Sequence, residues 1–263
     1  MTFPPDRGRI MHRIYYQDGR RAEGRYKIPH GPAGSPVLIA CAEDFLKQTG
    51  KWDEKVYERL CVVRTPEGKP EFSLCRQNEH CGRAEIAGQR QLKQQNQQRQ
   101  MEGSEFCGLY VSVSHTGDFW VCLIADSPCG IDCQTIGERD RDVIRLAERY
   151  YLPEEQEAVK HRGKCEFYRI WTRKEALGKL LGKGMFQAFP LPVLQDEESY
   201  GFQETELPGL DGFCTICMRD QNELSMPPEL VSLQAEQLNG NRKGSLTVCL
   251  IWMNCTEKAS LGS

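Results

Sequence analysis

Residues 109–134 read LYVSVSHTGDFWVCLIADSPCGIDCQ, and this stretch decides the fold. Leu109-Tyr110-Val111-Ser112-Val113-Ser114 alternates apolar and polar side chains at the two-residue period of a half-buried strand. Ser114-His115-Thr116-Gly117-Asp118 supplies the turn, since Gly-Asp is ordinary turn chemistry. Phe119 to Ala125 is a second strand, Asp126-Ser127-Pro128 a second turn, and Gly130 to Gln134 a third strand. Working outward on the C-terminal side, the apolar spacing changes to a helical one. It gives helices over about Asp140 to Tyr151, Pro153 to His161 and Glu166 to Leu181, the last closed by Gly182. Strand-like segments then return at Gly201 to Thr205, Gly212 to Met218 and Ser245 to Met253, the first two joined through Leu207-Pro208-Gly209. On the N-terminal side, Ile14-Tyr15-Tyr16 before Asp18-Gly19 is a short strand and turn. Val37 to Gln48 is a helix closed by Gly50, Tyr57 to Val63 a strand, and 65–70 a loop. Strands, helices and strands in that order imply α+β with antiparallel sheet.

Three segments follow. Residues 1–75 form a first part, and 109–263 a second. Between them, 76–108 contains Gln89 to Gln100, a Gln-rich run too polar to bury the surface that would offset its ordering entropy, and is expected to be a mobile insertion. Hydrophobic residues make up 39% and charged residues 27% of the 263, as in a soluble globular protein, and the formal net charge of -3 offers no global basic field for nucleic acid. Neither a membrane-spanning apolar run nor a signal-peptide core is legible, so a cytoplasmic monomer is expected. The 13 cysteines are expected to be reduced thiols, many of them set in apolar runs such as Cys122 and Cys249.

The chemistry gathers on the long helix and the strand before it. Trp171, Glu175 and Lys179 are spaced four apart and stack along the edge of the core stripe Phe167, Ile170, Leu177 and Leu181. Such a line is either a Glu–Lys helix pair beside a packing tryptophan or part of a site. Asp132 lies in a short apolar strand, where a carboxylate needs a partner, a hydrogen bond or a metal unless it sits at an exposed edge. Two separated carboxylates suit Mg²⁺, which takes oxygen ligands and substrate phosphates.

In order, Gly68-Lys69-Pro70, Ser114-His115-Thr116-Gly117, Gly130-Ile131-Asp132-Cys133-Gln134, Glu148-Arg149-Tyr150-Tyr151-Leu152-Pro153-Glu154-Glu155, Trp171 to Lys179 and Gly182-Lys183-Gly184 resemble the motifs of the 4'-phosphopantetheinyl transferase superfamily, in its larger pseudo-dimeric type. The resemblance is strong over 109–185. It implies two pseudo-symmetric halves, each a long helix on a small antiparallel sheet, with the active site in the cleft between them. It implies transfer of the phosphopantetheine arm of coenzyme A to a serine of an acyl or peptidyl carrier protein, with release of 3',5'-ADP. By the same resemblance Asp132, Gln134 and Glu175 would hold Mg²⁺, Glu175 and Lys179 would be catalytic, and Lys69, Pro70, Ser114, His115, Lys174 and Lys179 would contact coenzyme A.

The sequence departs from the family in three places. Gln134 stands where the family has a second acid, the link before Ser114 is long, and the first part lacks clear basic residues for the 3'-phosphate, for which Arg20, Arg21, Arg25 and Lys27 are loose candidates. Three rival readings follow: a transferase of the small, trimeric holo-synthase type, which spans only half this length; a non-catalytic coenzyme A or carrier-binding module, motivated by Gln134 and the degenerate first part; and a zinc-dependent interaction protein built on Cys75, His80, Cys81, Cys214 and Cys217.

Overall fold

The computed structural model describes residues 12–20, 28, 35–66, 68–74, 105–137, 142–219, 224 and 227–233. The chain runs β1 (His12–Asp18), α1 (Ser35–Gln48), α2 (Glu54–Arg59), β2 (Leu60–Arg64), β3 (Pro70–Leu74), β4 (Glu105–Phe106), β5 (Tyr110–Thr116), β6 (Phe119–Ala125), β7 (Cys129–Thr135), α3 (Val143–Tyr150), α4 (Pro153–Leu181), α5 (Met185–Ala188), β8 (Gly201–Glu204), β9 (Gly212–Met218) and β10 (Glu229–Ser232). It is a mixed α+β structure with small sheets, ordered β10-β1-β6-β5, β2-β3-β4 and β7-β9-β8.

Layers explain the burial. One face of the first sheet, carrying Tyr15, Val111, Cys122 and Ile124, packs on Val37, Leu38, Cys41 and Phe45 of α1. Its other face, with Ile14, Val121 and Leu123, packs on Ile131, Cys133, Cys214 and Ile216 of the β7-β9-β8 sheet. That sheet in turn supports α4 through Ile170, Leu177 and Cys217. Being covered on both sides, β6 is buried at every position, and its sequence is therefore an unbroken apolar run. All nine described cysteines are free thiols, six of them buried.

Several expectations change in detail. The two helices expected over 153–181 run on from each other as α4, with a non-helical break between them at Gly163, whose φ of 72° and ψ of -149° favour glycine. Residues 57–59, the start of the strand expected from Tyr57, instead end helix α2, whose first turn Asp53 caps by accepting the backbone N–H of Lys55 at 2.8 Å. Most sheet pairs are antiparallel, but β10 joins β1 in parallel. The C-terminal edge of the expected insertion, Glu105–Phe106, is strand β4 on β3. The Gln-rich run, Arg21, Arg25, Lys27, Cys75, His80, Cys81 and the strand expected at 245–253 lie outside the described residues.

Candidate functional site

Among the described residues, strand β7 sits at the edge of its sheet, and no further strand pairs with its outer N–H groups. Strand β5 meets them with hydroxyls at every second position. Ser112 Oγ accepts from Ile131 N at 3.0 Å, Ser114 Oγ from Cys133 N at 3.4 Å, and Thr116 Oγ1 from Thr135 N at 3.2 Å. This ladder fixes the two sheets in register. The opposite face of β7 approaches α4 at Gly130, which carries no side chain to hold the helix away.

That approach brings the candidate residues together. Asp132, buried, accepts the Ser114 hydroxyl at 2.6 Å and the Lys179 ammonium at 2.8 Å, both on Oδ1. Lys179 also donates to the carbonyl of Ile131 at 2.9 Å. Trp171, Glu175 and Lys179 are all half-buried, forming the boundary line that their spacing implied. Burial, and then the negative charge of Asp132, push the Glu175 carboxyl above its usual range, while Lys179 and a Trp171 hydrogen bond pull it back. Gln134 is on the face of Asp132, half-buried, and donates weakly to the Thr135 carbonyl at 3.4 Å.

The flanking residues are placed as follows. Lys69 reaches from the β2–β3 loop to donate to the Lys179 carbonyl at 2.9 Å, tying that loop to the C-terminal turns of α4, and Pro70 is buried at the start of β3. His115 is exposed next to buried Ser114, as adjacent strand positions should be. Arg20 is engaged by Asp18, with its Nε 2.9 Å from Oδ1, and by the Gly209 carbonyl.

Lys174 is not brought to this site. Its side chain is wholly buried, 2.7 Å from Glu155, and it donates to the carbonyls of Phe189 at 2.9 Å and Leu191 at 2.5 Å. The helical phase carries the signal. Lys174 is four residues after Ile170 and three before Leu177, which puts it on the core stripe, whereas Glu175 is one residue round at its edge. The ion pair with Glu155, the β7 bonds of the Ser112 and Thr116 hydroxyls and the close contact at Gly130 were not legible in the sequence.

The donor set suits a hard cation. It comprises the Asp132 and Glu175 carboxylates, whose negative charges repel each other, with a neutral amide oxygen at Gln134 on the face of Asp132. Among the described residues no cluster of three or more His, Cys, Asp or Glu side chains is present. A zinc centre on the C-x-x-C is disfavoured by strand geometry. Cys214 faces the inter-sheet core and Cys217 the α4 side, so one ion cannot take both. Burial also pushes both of these thiols well up, away from the thiolate that zinc requires.

A family model matches this region. Residues 128–220 match the family model of the 4'-phosphopantetheinyl transferase superfamily. The chain is 33% identical over 82 residues to 4'-phosphopantetheinyl transferase gsp of Aneurinibacillus migulanus, covering 30% of this chain and 33% of that protein. It is 34% identical over 80 residues to psf-1 of Bacillus pumilus, covering 29% and 33%, and 28% identical over 115 residues to Sfp of Bacillus subtilis (strain 168), covering 41% and 48%. The matches thus span a third to about half of the relatives' length. The superfamily read from the motifs is the one these comparisons find.

Proposed function

We propose that the protein is a 4'-phosphopantetheinyl transferase, moving the phosphopantetheine arm of coenzyme A to a serine hydroxyl of an acyl or peptidyl carrier protein and releasing 3',5'-ADP. The observation that carries this reading is the convergence of Asp132 on β7 with Lys179 on α4, at 2.8 Å, beside Glu175 one turn earlier on the same helix. Two pseudo-symmetric halves would frame a cleft for coenzyme A. Residues 1–75 and 109–263 would form these halves, joined by the Gln-rich segment. The protein would act as a cytoplasmic monomer, and among the described residues no helix is long and apolar enough to cross a membrane.

Within that site Asp132 and Glu175 would hold Mg²⁺, with Gln134 lending its amide oxygen or leaving the place to water. When bound, the cation would neutralise the pyrophosphate charge of coenzyme A. Lys179 spends two of its three donors on Asp132 Oδ1 and the Ile131 carbonyl, and the third would serve a phosphate oxygen as a fixed point charge. His115, exposed at the β5–β6 turn, would contact a phosphate, and Lys69 with Pro70 would line the nucleotide side. Glu175 would accept the serine proton as the serine oxygen bonds to the phosphorus bearing pantetheine and the bond to the departing 3',5'-ADP breaks. Gln134 and the degenerate first part favour a non-catalytic module, and that reading expects carrier binding without transfer.

The test is mass spectrometry of a panel of apo acyl and peptidyl carrier proteins after incubation with the protein, coenzyme A and Mg²⁺. One carrier gaining the phosphopantetheine mass, with 3',5'-ADP formed in equal amount, supports the proposal. Folded protein that binds carriers yet leaves all of them unmodified sinks it in favour of the binding module.

A further inference from the structure

The hydroxyl ladder between β5 and β7 treats one of its members differently. Ser112, Ser114 and Thr116 each accept a β7 amide proton, and that shared bond is a matter of sheet assembly. Ser114 alone also donates to a carboxylate. Its bond to Asp132 Oδ1, 2.6 Å, falls in the range of a charge-assisted O–H···O⁻ bond, and the serine is buried. Thr116 instead spends its hydroxyl contact on Thr135, 3.2 Å away.

A serine hydroxyl has a single proton to give. With that proton on Asp132, Ser114 has none for a coenzyme A phosphate, the role its motif suggested. The same carboxylate oxygen receives the Lys179 ammonium at 2.8 Å. Both bonds therefore converge on Oδ1 from two different elements, β5 and α4, and among the described residues none falls on Oδ2.

We propose that Ser114 is a positioning residue for the metal carboxylate. Together with Lys179 it saturates Oδ1 of Asp132 and fixes the plane of the carboxyl group, so that Oδ2 is the oxygen turned to the cation. This rests on the proposed reading of Asp132 as a Mg²⁺ ligand. The hydroxyl ladder gives the arrangement its rigidity, because the amide accepted by Ser114 belongs to Cys133, the residue next to the carboxylate it orients. A partner one step removed from a metal typically governs affinity through the orientation of its ligand.

The experiment compares wild type, Ser114→Ala, Ser114→Thr and Ser112→Ala as full chains. Mn²⁺ serves as the reporter ion, and binding is followed by electron paramagnetic resonance in the presence of coenzyme A, alongside thermal unfolding without metal. Ser112→Ala removes the same kind of ladder bond without touching Asp132, so it reports the purely structural cost. The expected result is that the two alanine variants lose similar thermal stability. Only Ser114→Ala weakens Mn²⁺ binding, by about tenfold or more, and Ser114→Thr, which restores a hydroxyl, recovers most of the affinity. If wild type binds Mn²⁺ and Ser114→Ala binds it equally well, or Ser112→Ala weakens it as much, the role of Ser114 is overturned while the metal reading stands. If wild type binds no Mn²⁺, the metal reading itself falls and takes this role with it.

Discussion

Gly130 and Ala176 meet backbone to backbone: a Cβ placed on Gly130 would lie 2.0 Å from the carbonyl oxygen of Ala176 and 2.7 Å from the amide of Leu180. Those are main-chain atoms of the helix turn that runs from Ala176 to Leu180 and carries Lys179, and they have no rotamer with which to yield. Gly130→Ala must therefore push β7 and α4 apart, moving Asp132 away from Lys179. Overpacking of this kind costs roughly 1–3 kcal/mol or more. The expected outcome is a clear drop in Tm together with a transfer rate lost out of proportion to the fraction unfolded at assay temperature. An alanine variant with wild-type Tm and rate would show that the close approach does not set the site.

The buried pair Lys174–Glu155 gives a contrasting expectation. Lys174→Met leaves Glu155, itself 1% exposed at the side chain, without its cation. Removing one partner of a buried ion pair typically costs about 3–5 kcal/mol. Denaturant unfolding of the single variant should show a loss of that order. The double variant Lys174→Met with Glu155→Gln should regain part of it, since the glutamine oxygen can still accept the Val193 amide that Glu155 holds at 3.1 Å. If the double variant folds, its KM for coenzyme A should match wild type. A raised KM in folded protein would return Lys174 to the nucleotide site.

How far the sequence carried the reading depends on where each signal lies. Strand β6 was legible because two covered faces demand seven apolar residues in a row. The edge line Trp171, Glu175 and Lys179 followed from helical spacing alone, and the structure leaves all three half-buried. Helix α2 was missed although its signal was local, in the capping carboxylate of Asp53. Strand β10 carries no comparable signal, because its pairing with β1 joins residues 229 and 13 in parallel, and four residues cannot announce so distant a partner. The burial of Lys174 against Glu155 was not legible, because adjacency to Glu175 in sequence says nothing about the roughly 100° that separates neighbours on a helix. The Asp132–Ser114 bond needed the register of two sheets and could not be read from either strand alone.

The two carboxylates of the site should behave differently without metal. Asp132 is bonded to Ser114 and Lys179, so Asp132→Asn weakens two charge-assisted contacts, whereas Glu175 carries a half-buried charge repelled by that of Asp132. In chelator, Asp132→Asn should melt below wild type and Glu175→Gln at or above it. Both variants should lose transfer even at saturating Mg²⁺, and chelation should stop the wild type reversibly. Glu175→Gln with near wild-type turnover would remove it from the catalytic assignment.

Acid stability offers a check on the supporting layer. Burial works against the Glu166 charge, but the bond and charge of Arg169, helped by Arg162, hold its carboxyl below the usual range. A depressed carboxylate contributes stability at pH above its unfolded value, lost as pH falls through the folded one. Because Arg162 is largely exposed, the contribution after screening is on the order of 1 kcal/mol. Glu166→Gln should be less stable than wild type at pH 7, and the gap should close as the pH drops below the ordinary carboxylate range. A gap that stays constant across a pH series of unfolding curves would assign the effect to packing instead.

Gln134 tests the departure from the family pattern most sharply. Alternation along β7 puts it on the face of Asp132, two residues on, and the structure leaves it half-buried with only a weak 3.4 Å bond to its neighbour's carbonyl, so its side chain is not committed elsewhere by a strong contact. A glutamate there would add an anionic oxygen for a hard cation, where the amide offers a dipole or yields to water. Gln134→Glu is therefore expected to retain transfer and to lower the Mg²⁺ concentration at half-maximal rate. A tenfold shift would correspond to about 1.4 kcal/mol. Gln134→Ala should be mild, because water can fill the vacated place. A binding module without catalysis would instead show no transfer in wild type, with Gln134→Glu restoring some. A Mg²⁺ titration of wild type and both variants separates these outcomes. Identical half-saturation in all three would leave Asp132 and Glu175 as the protein's only proposed ligands and place Gln134 outside the metal's reach.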